Sequence, residues 1–147
     1  YEITGTLLQV AKAFALFAND GYEIHPVLVR GEPASSLPRK KLYSSETINH
    51  MRSILEEAVK SGTGHNAQLP GVTVLGKTGT ANLLVNGEYI PSKNIYSFVG
   101  IVEKESYKRV IITFVKEAAN PHLFAATVAA PLFKKIAEVM LIHERQV

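Results

Sequence analysis

Gly71-Val72-Thr73-Val74-Leu75-Gly76-Lys77-Thr78-Gly79-Thr80-Ala81 is the stretch on which the reading of the fold turns. Its first eight residues fit the phosphate-loop pattern G-x-x-x-x-G-K-[ST]. Such a loop needs an apolar strand before its first glycine and a helix opening at its lysine. Here Gln68-Leu69-Pro70 comes before Gly71. The variable positions Val-Thr-Val-Leu favour extended chain, and Gly79-Thr80-Ala81-Asn82 is a poor helix opening. No later apolar strand ends in an aspartate for magnesium. The stretch therefore reads as a β-strand, Val72–Ala81. Lys77, Thr78, Gly79 and Thr80 lie on it, with both hydroxyls on one face because strand side chains alternate. Two hydroxyls and an ammonium suit an anion such as a carboxylate. Gly79 leaves room for a substrate backbone to lie close. An exposed strand edge can also pair with an extended peptide.

Working outward, two more strands are expected, Tyr96–Val102 and Arg109–Lys116. The link after the first strand holds the turn signal Asn86-Gly87, and Lys104–Lys108 makes a polar hairpin connection. Before the strands, Thr6-x-x-Gln9 is a capping box. It opens a helix from Leu7 to Asn19 that is apolar nearly all round and should be buried on most sides. Tyr22–Gly31 reads as extended and Glu32–Lys41 as a loop. Ser44 or Ser45 caps a second helix, Glu46 to Lys60, with Ile48, Met51, Leu55, Ala58 and Val59 on one face. Asn120-Pro121 breaks the chain. A last helix runs from Phe124 to about His143, kinked or restarted at Pro131. The fold class is α+β, a three-stranded antiparallel sheet with a helix on one face. The first helix has no evident place in that unit.

The 147 residues include no cysteine, so thiolate metal sites and thiol nucleophiles are excluded. The net charge of +3 is small. The basic runs Arg39-Lys40-Lys41 and Lys134-Lys135 lack interleaved aromatic residues, so they read as solvated faces and no nucleic-acid partner is expected. His25, His50, His65, His122 and His143 form no ligand spacing, and no metal or cofactor is expected. Gly62-Thr63-Gly64-His65-Asn66-Ala67 fits a relaxed dinucleotide fingerprint. It follows a helix instead of a strand and leads into Pro70, so it reads as a loop. No apolar run reaches the roughly 20 residues needed to span a membrane.

Several stretches, taken in order, resemble one family. Thr6-x-Leu8-Gln9-Val10-Ala11-x-Ala13-Phe14-Ala15-x-Phe17-Ala18-Asn19-x-Gly21-Tyr22 opens the set. Val59-x-x-Gly62-Thr63-Gly64-x-x-Ala67, Gly76-Lys77-Thr78-Gly79-Thr80-Ala81 and Ser97-Phe98-Val99-Gly100 follow. Val128-Ala129-Ala130-Pro131-Leu132-Phe133-x-x-Ile136 completes it. The chain resembles the C-terminal half of the transpeptidase domain of class B penicillin-binding proteins, closest to the cell-division type. Lys77-Thr78-Gly79 matches the third motif of that family, which is marked by Ser-x-x-Lys, Ser-x-Asn and Lys-Thr-Gly. The resemblance covers nearly the whole of residues 1–147, read as the C-terminal part of one domain whose nucleophile-bearing part lies upstream. It implies that the first helix belongs to a helical lobe and that the Lys-Thr-Gly strand is an edge strand lining the active site.

The resemblance also implies a function. A peptidoglycan D,D-transpeptidase attacks the D-Ala-D-Ala bond of a stem peptide with serine and passes the acyl group to an amine. β-Lactams acylate the same serine. Lys77 would act in the proton relay and electrostatics. Thr78 and Thr80 would bind the terminal carboxylate beside Gly79, and the Thr80 N–H would serve the oxyanion hole. Membrane partners of the division complex, and a place on the outer face of the cytoplasmic membrane behind an N-terminal anchor, follow from the same resemblance.

One departure matters: no serine here is followed three residues on by lysine. Ser92-Lys93-Asn94 spells the second motif, but after the third, and reads as chance in a link. Ala125-Ala126 stands where many relatives carry glycines. Two alternatives remain open: a non-catalytic interaction module of the same fold, and a serine β-lactamase.

Overall fold

The computed structural model of the chain describes residues 5–29, 38–118 and 123–144, apart from the side chain of Ser92. Helix α1 spans Leu7–Ala18 and α2 spans Ser45–Lys60. A single 3-10 turn, His65–Ala67, leads to strands β1 (Thr73–Val85), β2 (Glu88–Lys104) and β3 (Tyr107–Lys116). Helix α3, Ala125–Glu144, comes last.

Local signals explain the helix starts. The Thr6 side chain accepts from the Gln9 N–H, and the Gln9 side chain accepts from the Thr6 N–H, so the capping box forms in full. Ser44, not Ser45, caps α2 by accepting from the Thr47 N–H. Helix α3 runs unbroken through Pro131 instead of restarting there. Tyr22 joins Lys41 in one isolated bridge, and 23–29 form no strand. Gly31, residues 32–37 of the expected loop, and Asn120-Pro121 lie outside the described residues.

The strands form an antiparallel sheet in the order β1-β2-β3. Lys77 sits mid-strand in β1, and no helix opens at it, so the stretch is not a phosphate loop. The strands are longer than periodicity suggests. The expected link after Ala81 is itself ladder: Val85 pairs with Glu88 across a turn in which Asn86 (φ 52°) and Gly87 (φ 86°) are both left-handed. That two-residue geometry matches the twist of the flanking strands, so the hairpin closes tightly. The register shifts between Asn82 and Leu83, which face Asn94 and Ile90. Pro91-Ser92-Lys93 is thereby left out of the ladder, in a strand and not in a link. The β2–β3 connection shrinks to Glu105-Ser106.

Both faces of the sheet are covered. On one, Phe133, Ala129, Ala130 and Ala137 of α3 pack on Val74, Tyr96, Phe98, Val102 and Ile111. On the other, Leu75 and Ile101 meet Leu55 of α2 and Phe14, Phe17 and Ala18 of α1. Helix α1 thus has a place within the unit, contrary to the expectation from sequence. It is less buried than its composition suggests. Ala15 is its one buried residue, and Leu7 and Leu8 are 54% and 41% exposed.

Candidate functional site

Strand β1 is buried where it begins and open where the candidate residues stand. Val74, Leu75 and Gly76 are buried, Lys77 and Thr80 are exposed, and Thr78 and Gly79 are half-buried. Gly76 lies opposite Gly100 in the ladder. A Cβ at Gly76 would overlap the Phe98 ring, and one at Gly100 would stand 2.9 Å from the Phe133 ring. The two glycines therefore admit the Phe98–Phe133 pair, edge to face with centroids 4.7 Å apart. This packing pins β1 immediately before Lys77.

The Lys77 ammonium folds along its own strand. Nζ donates to the Thr78 carbonyl at 3.1 Å and lies 3.4 Å from Thr78 Oγ1. Thr78 Oγ1 is 2.8 Å from Thr63 Oγ1. Thr80 Oγ1 accepts from the Ala125 N–H, at a long 3.4 Å. The structure brings Lys77, Thr78 and Thr80 together at the outer edge of the sheet, as the sequence suggests. Gly79 has a packing role within the sheet. Its missing side chain makes room for Ser97, which a Cβ would approach to 2.6 Å and whose hydroxyl donates to the Gly79 carbonyl at 3.3 Å. That room is taken by the Ser97 side chain, the ladder partner of Gly79. A separate open cleft of about 780 Å³ borders Lys60, Pro70, Thr73, Glu103 and Lys134. None of Lys77–Thr80 lines it. Among the described residues, no group of three or more His, Asp or Glu could hold a metal ion, and no helix is long and apolar enough to cross a membrane. His122 is outside those residues.

Comparison with known proteins fits this arrangement. The penicillin binding protein transpeptidase domain matches residues 1–138. The chain belongs to the penicillin-binding protein transpeptidase family. It is 29% identical over 138 residues to the "Probable peptidoglycan D,D-transpeptidase PenA" of Neisseria flavescens, covering 92% of this chain and 34% of that protein. The transpeptidase domain of Burkholderia pseudomallei penicillin-binding protein 3 shares 30% identity at a TM-score of 0.76, over 97% of this chain and 44% of that one. Penicillin-binding protein 3 of Mycobacterium tuberculosis, solved in complex with ampicillin, shares 28% at 0.73, over 96% of this chain and 35% of that one. The chain thus spans less than half of each of these relatives. The α+β transpeptidase fold expected from sequence is the fold observed.

Within this chain, three groups near the site carried no role in the sequence reading. Thr63 and Asn66 sit in the loop after α2, and Ser97 sits on β2. The loop is held close because a Cβ at Gly62 or Gly64 would press on the Ala58 carbonyl at 2.8 or 3.0 Å. Gly64 N–H donates to that carbonyl at 2.9 Å. Asn66 Nδ2 donates to the Ala126 carbonyl at 2.8 Å, tying the loop to the start of α3. The signals in sequence were the Gly-Thr-Gly stretch and Ser97-Phe98-Val99-Gly100, which carried the resemblance without a function attached to these residues.

Behind the sheet, charge fixes α1. Arg52 on α2 grips Glu103 on β2 with two bonds, 2.9 and 2.6 Å, and donates to the Phe17 carbonyl at 2.8 Å. Lys108 on β3 donates to the Ala18 carbonyl at 3.1 Å and stands 3.4 Å from Glu103. Two cations thus meet the last carbonyls of α1, where the helix dipole is negative. Burial works against ionising Glu103, but the hydrogen bonds and charge of Arg52, with Lys108, outweigh it. Its carboxyl is held below the ordinary range.

Proposed function

We propose that this chain is the C-terminal part of a serine D,D-transpeptidase domain that cross-links peptidoglycan stem peptides. The observation that carries the reading is one strand edge presenting an ammonium and two hydroxyls, Lys77, Thr78 and Thr80, in a chain of this family. That set can hold a carboxylate, the group at the end of a D-Ala-D-Ala peptide and of a penicillin. The Mycobacterium tuberculosis relative was solved in complex with ampicillin, which supports β-lactams as ligands of this protein. In this reading a serine outside residues 1–147 attacks the D-Ala-D-Ala carbonyl and releases the terminal D-alanine. An amine of a second stem peptide then takes the acyl group. Lys77 supports the proton relay and the field around the serine. Thr78 and Thr80 hold the carboxylate beside Gly79. The Thr80 N–H faces the developing oxyanion, where loss of one donor typically costs about 10²–10³ in rate. The protein works at septal wall synthesis with membrane partners of the division complex. It acts on the outer face of the cytoplasmic membrane, held there by an N-terminal anchor.

The test is covalent labelling of the full-length protein with fluorescent penicillin. A band that survives denaturation is expected, and Lys77→Ala should remove most of it, about 100-fold in acylation rate by analogy with losing one such stabilising group. Residues 1–147 alone should stay unlabelled, because they lack the nucleophile. Unchanged labelling in Lys77→Ala would refute the role given to the lysine. Rapid turnover of the penicillin would make the protein a hydrolase, and no label on the full-length protein would make it a binding module.

A further inference from the structure

The threonine hydroxyls of β1 are not left to orient themselves. Each meets a donor-capable group from another element. Ala125, the first residue of α3, donates its N–H to Thr80 Oγ1 at 3.4 Å. Thr63, on the loop after α2, places its hydroxyl 2.8 Å from Thr78 Oγ1. These two supports are joined by a third bond, from Asn66 Nδ2 to the Ala126 carbonyl at 2.8 Å. Thr63 and Asn66 are three residues apart, and Ala125 and Ala126 are adjacent. The loop, the start of α3 and β1 therefore close a ring around the hydroxyl pair.

A hydroxyl has one proton and two lone pairs. When a donor occupies one lone pair, the proton stays available for another acceptor. Ala125 N–H can only donate, so the Thr80 proton is left free to turn to an anion. The Lys77 ammonium also can only donate, and it lies 3.4 Å from Thr78 Oγ1. Between Thr63 and Thr78 either hydroxyl can donate. With an anion at the edge, the favoured order is Thr63 to Thr78 to anion, because chained hydrogen bonds polarise one another. The reverse order would spend the Thr78 proton inside the protein and aim a lone pair at the carboxylate.

We infer that Thr63 is a positioning residue for carboxylate recognition, its hydroxyl feeding Thr78 so that the Thr78 proton points at the substrate, with Asn66 holding the loop that carries it. This rests on the carboxylate-binding reading of Thr78 and Thr80 above. Thr63 acts through Thr78 and does not itself touch the reacting atoms.

The experiment is a double-mutant cycle in the full-length protein, with the second-order rate of acylation by benzylpenicillin as the readout. Thr63→Val keeps the shape and removes the hydroxyl. It should slow acylation about tenfold, the scale of one hydrogen bond. In a Thr78→Val background the same change should cost less than about twofold, since the group through which Thr63 acts is gone. Thr63→Ser retains the hydroxyl and should stay within about threefold of wild type. Thermal unfolding checks that Thr63→Val is folded, and Thr63→Ala carries the same cycle should it melt early. Losses that multiply in the double variant, or no loss in Thr63→Val, would overturn the inference and leave the transpeptidase reading standing. A Thr63→Ser variant as slow as Thr63→Val would overturn it too. A wild-type protein that benzylpenicillin does not acylate would overturn the functional reading and this inference with it.

Discussion

The two faces of the sheet are held by different physics. Toward α3 the contact is broad and apolar, centred on Phe98, Phe133 and a run of small alanines, with Gly76 and Gly100 letting the rings close on the backbone. Toward α1 and α2 the sheet's buried cluster is smaller, Leu55 with Leu75 and Ile101, and the directional work falls to Arg52, Glu103 and Lys108. Burial is non-directional and grows with area, so the α3 face supplies stability. Ion-paired hydrogen bonds are directional, so the α1 face supplies orientation. The open half of β1 continues directly from the pinned half. Lys77 and Thr80 are exposed and Thr78 is half-buried, on a strand pinned just before them.

Three measurements on the chain bear on that contrast, beginning with the largest expected effect. Phe133→Ala empties the centre of the α3 face and should cost about 3–5 kcal/mol in urea unfolding. A loss below about 1 kcal/mol would mean that this face is not the stabilising one. Arg52→Ala leaves Glu103 partly buried without its main partner and should cost about 1–3 kcal/mol, a range reduced because both side chains keep some solvent. Replacing the pair together, Arg52→Met with Glu103→Leu, should recover most of that loss while freeing the end of α1. Faster amide exchange confined to α1 in the double variant is the expected signature of lost orientation. Protection equal to wild type would show that the ions do not orient the helix. The smallest effect is in acid. Glu103 has its carboxyl held low in the folded chain, so it contributes stability above the unfolded-state value of about 4.3. That contribution is lost as pH falls through the lower folded value. Glu103→Gln should flatten this part of the stability profile below about pH 4.3, and an unaltered profile would remove Glu103 from the account.

Much of the fold was legible because local chemistry dictates it. Thr6 and Gln9 form the cap their spacing suggests, Ser44 starts α2, and Asn86-Gly87 makes a turn. The strands could be recognised but not their lengths. Residues 82–85 and 88–95 lack a clean alternation, and it is pairing across the hairpin that keeps 82–85, 88–90 and 94–95 extended. Pro131 suggested a break, yet α3 continues, because a buried face of alanines and Phe133 on both sides of it holds the helix on the sheet. At the site, Lys77, Thr78 and Thr80 could be picked from the strand pattern and the motif. Thr63, Asn66 and Ser97 could not be given roles, since each matters only through a neighbour 15 to 60 residues away.

The amino-acid sequence alone determined the elements, the family resemblance and the residues able to bind an anion. Caps, turns and alternation act within a few residues, and motif spacing is read directly. Tertiary structure alone decided that α1 packs on the second face of the sheet, that Gly79 makes way for Ser97, and that a loop and a helix start brace the two threonines. These depend on groups far apart in the chain meeting at hydrogen-bond or van der Waals distance, and spacing along a sequence carries no information about that distance.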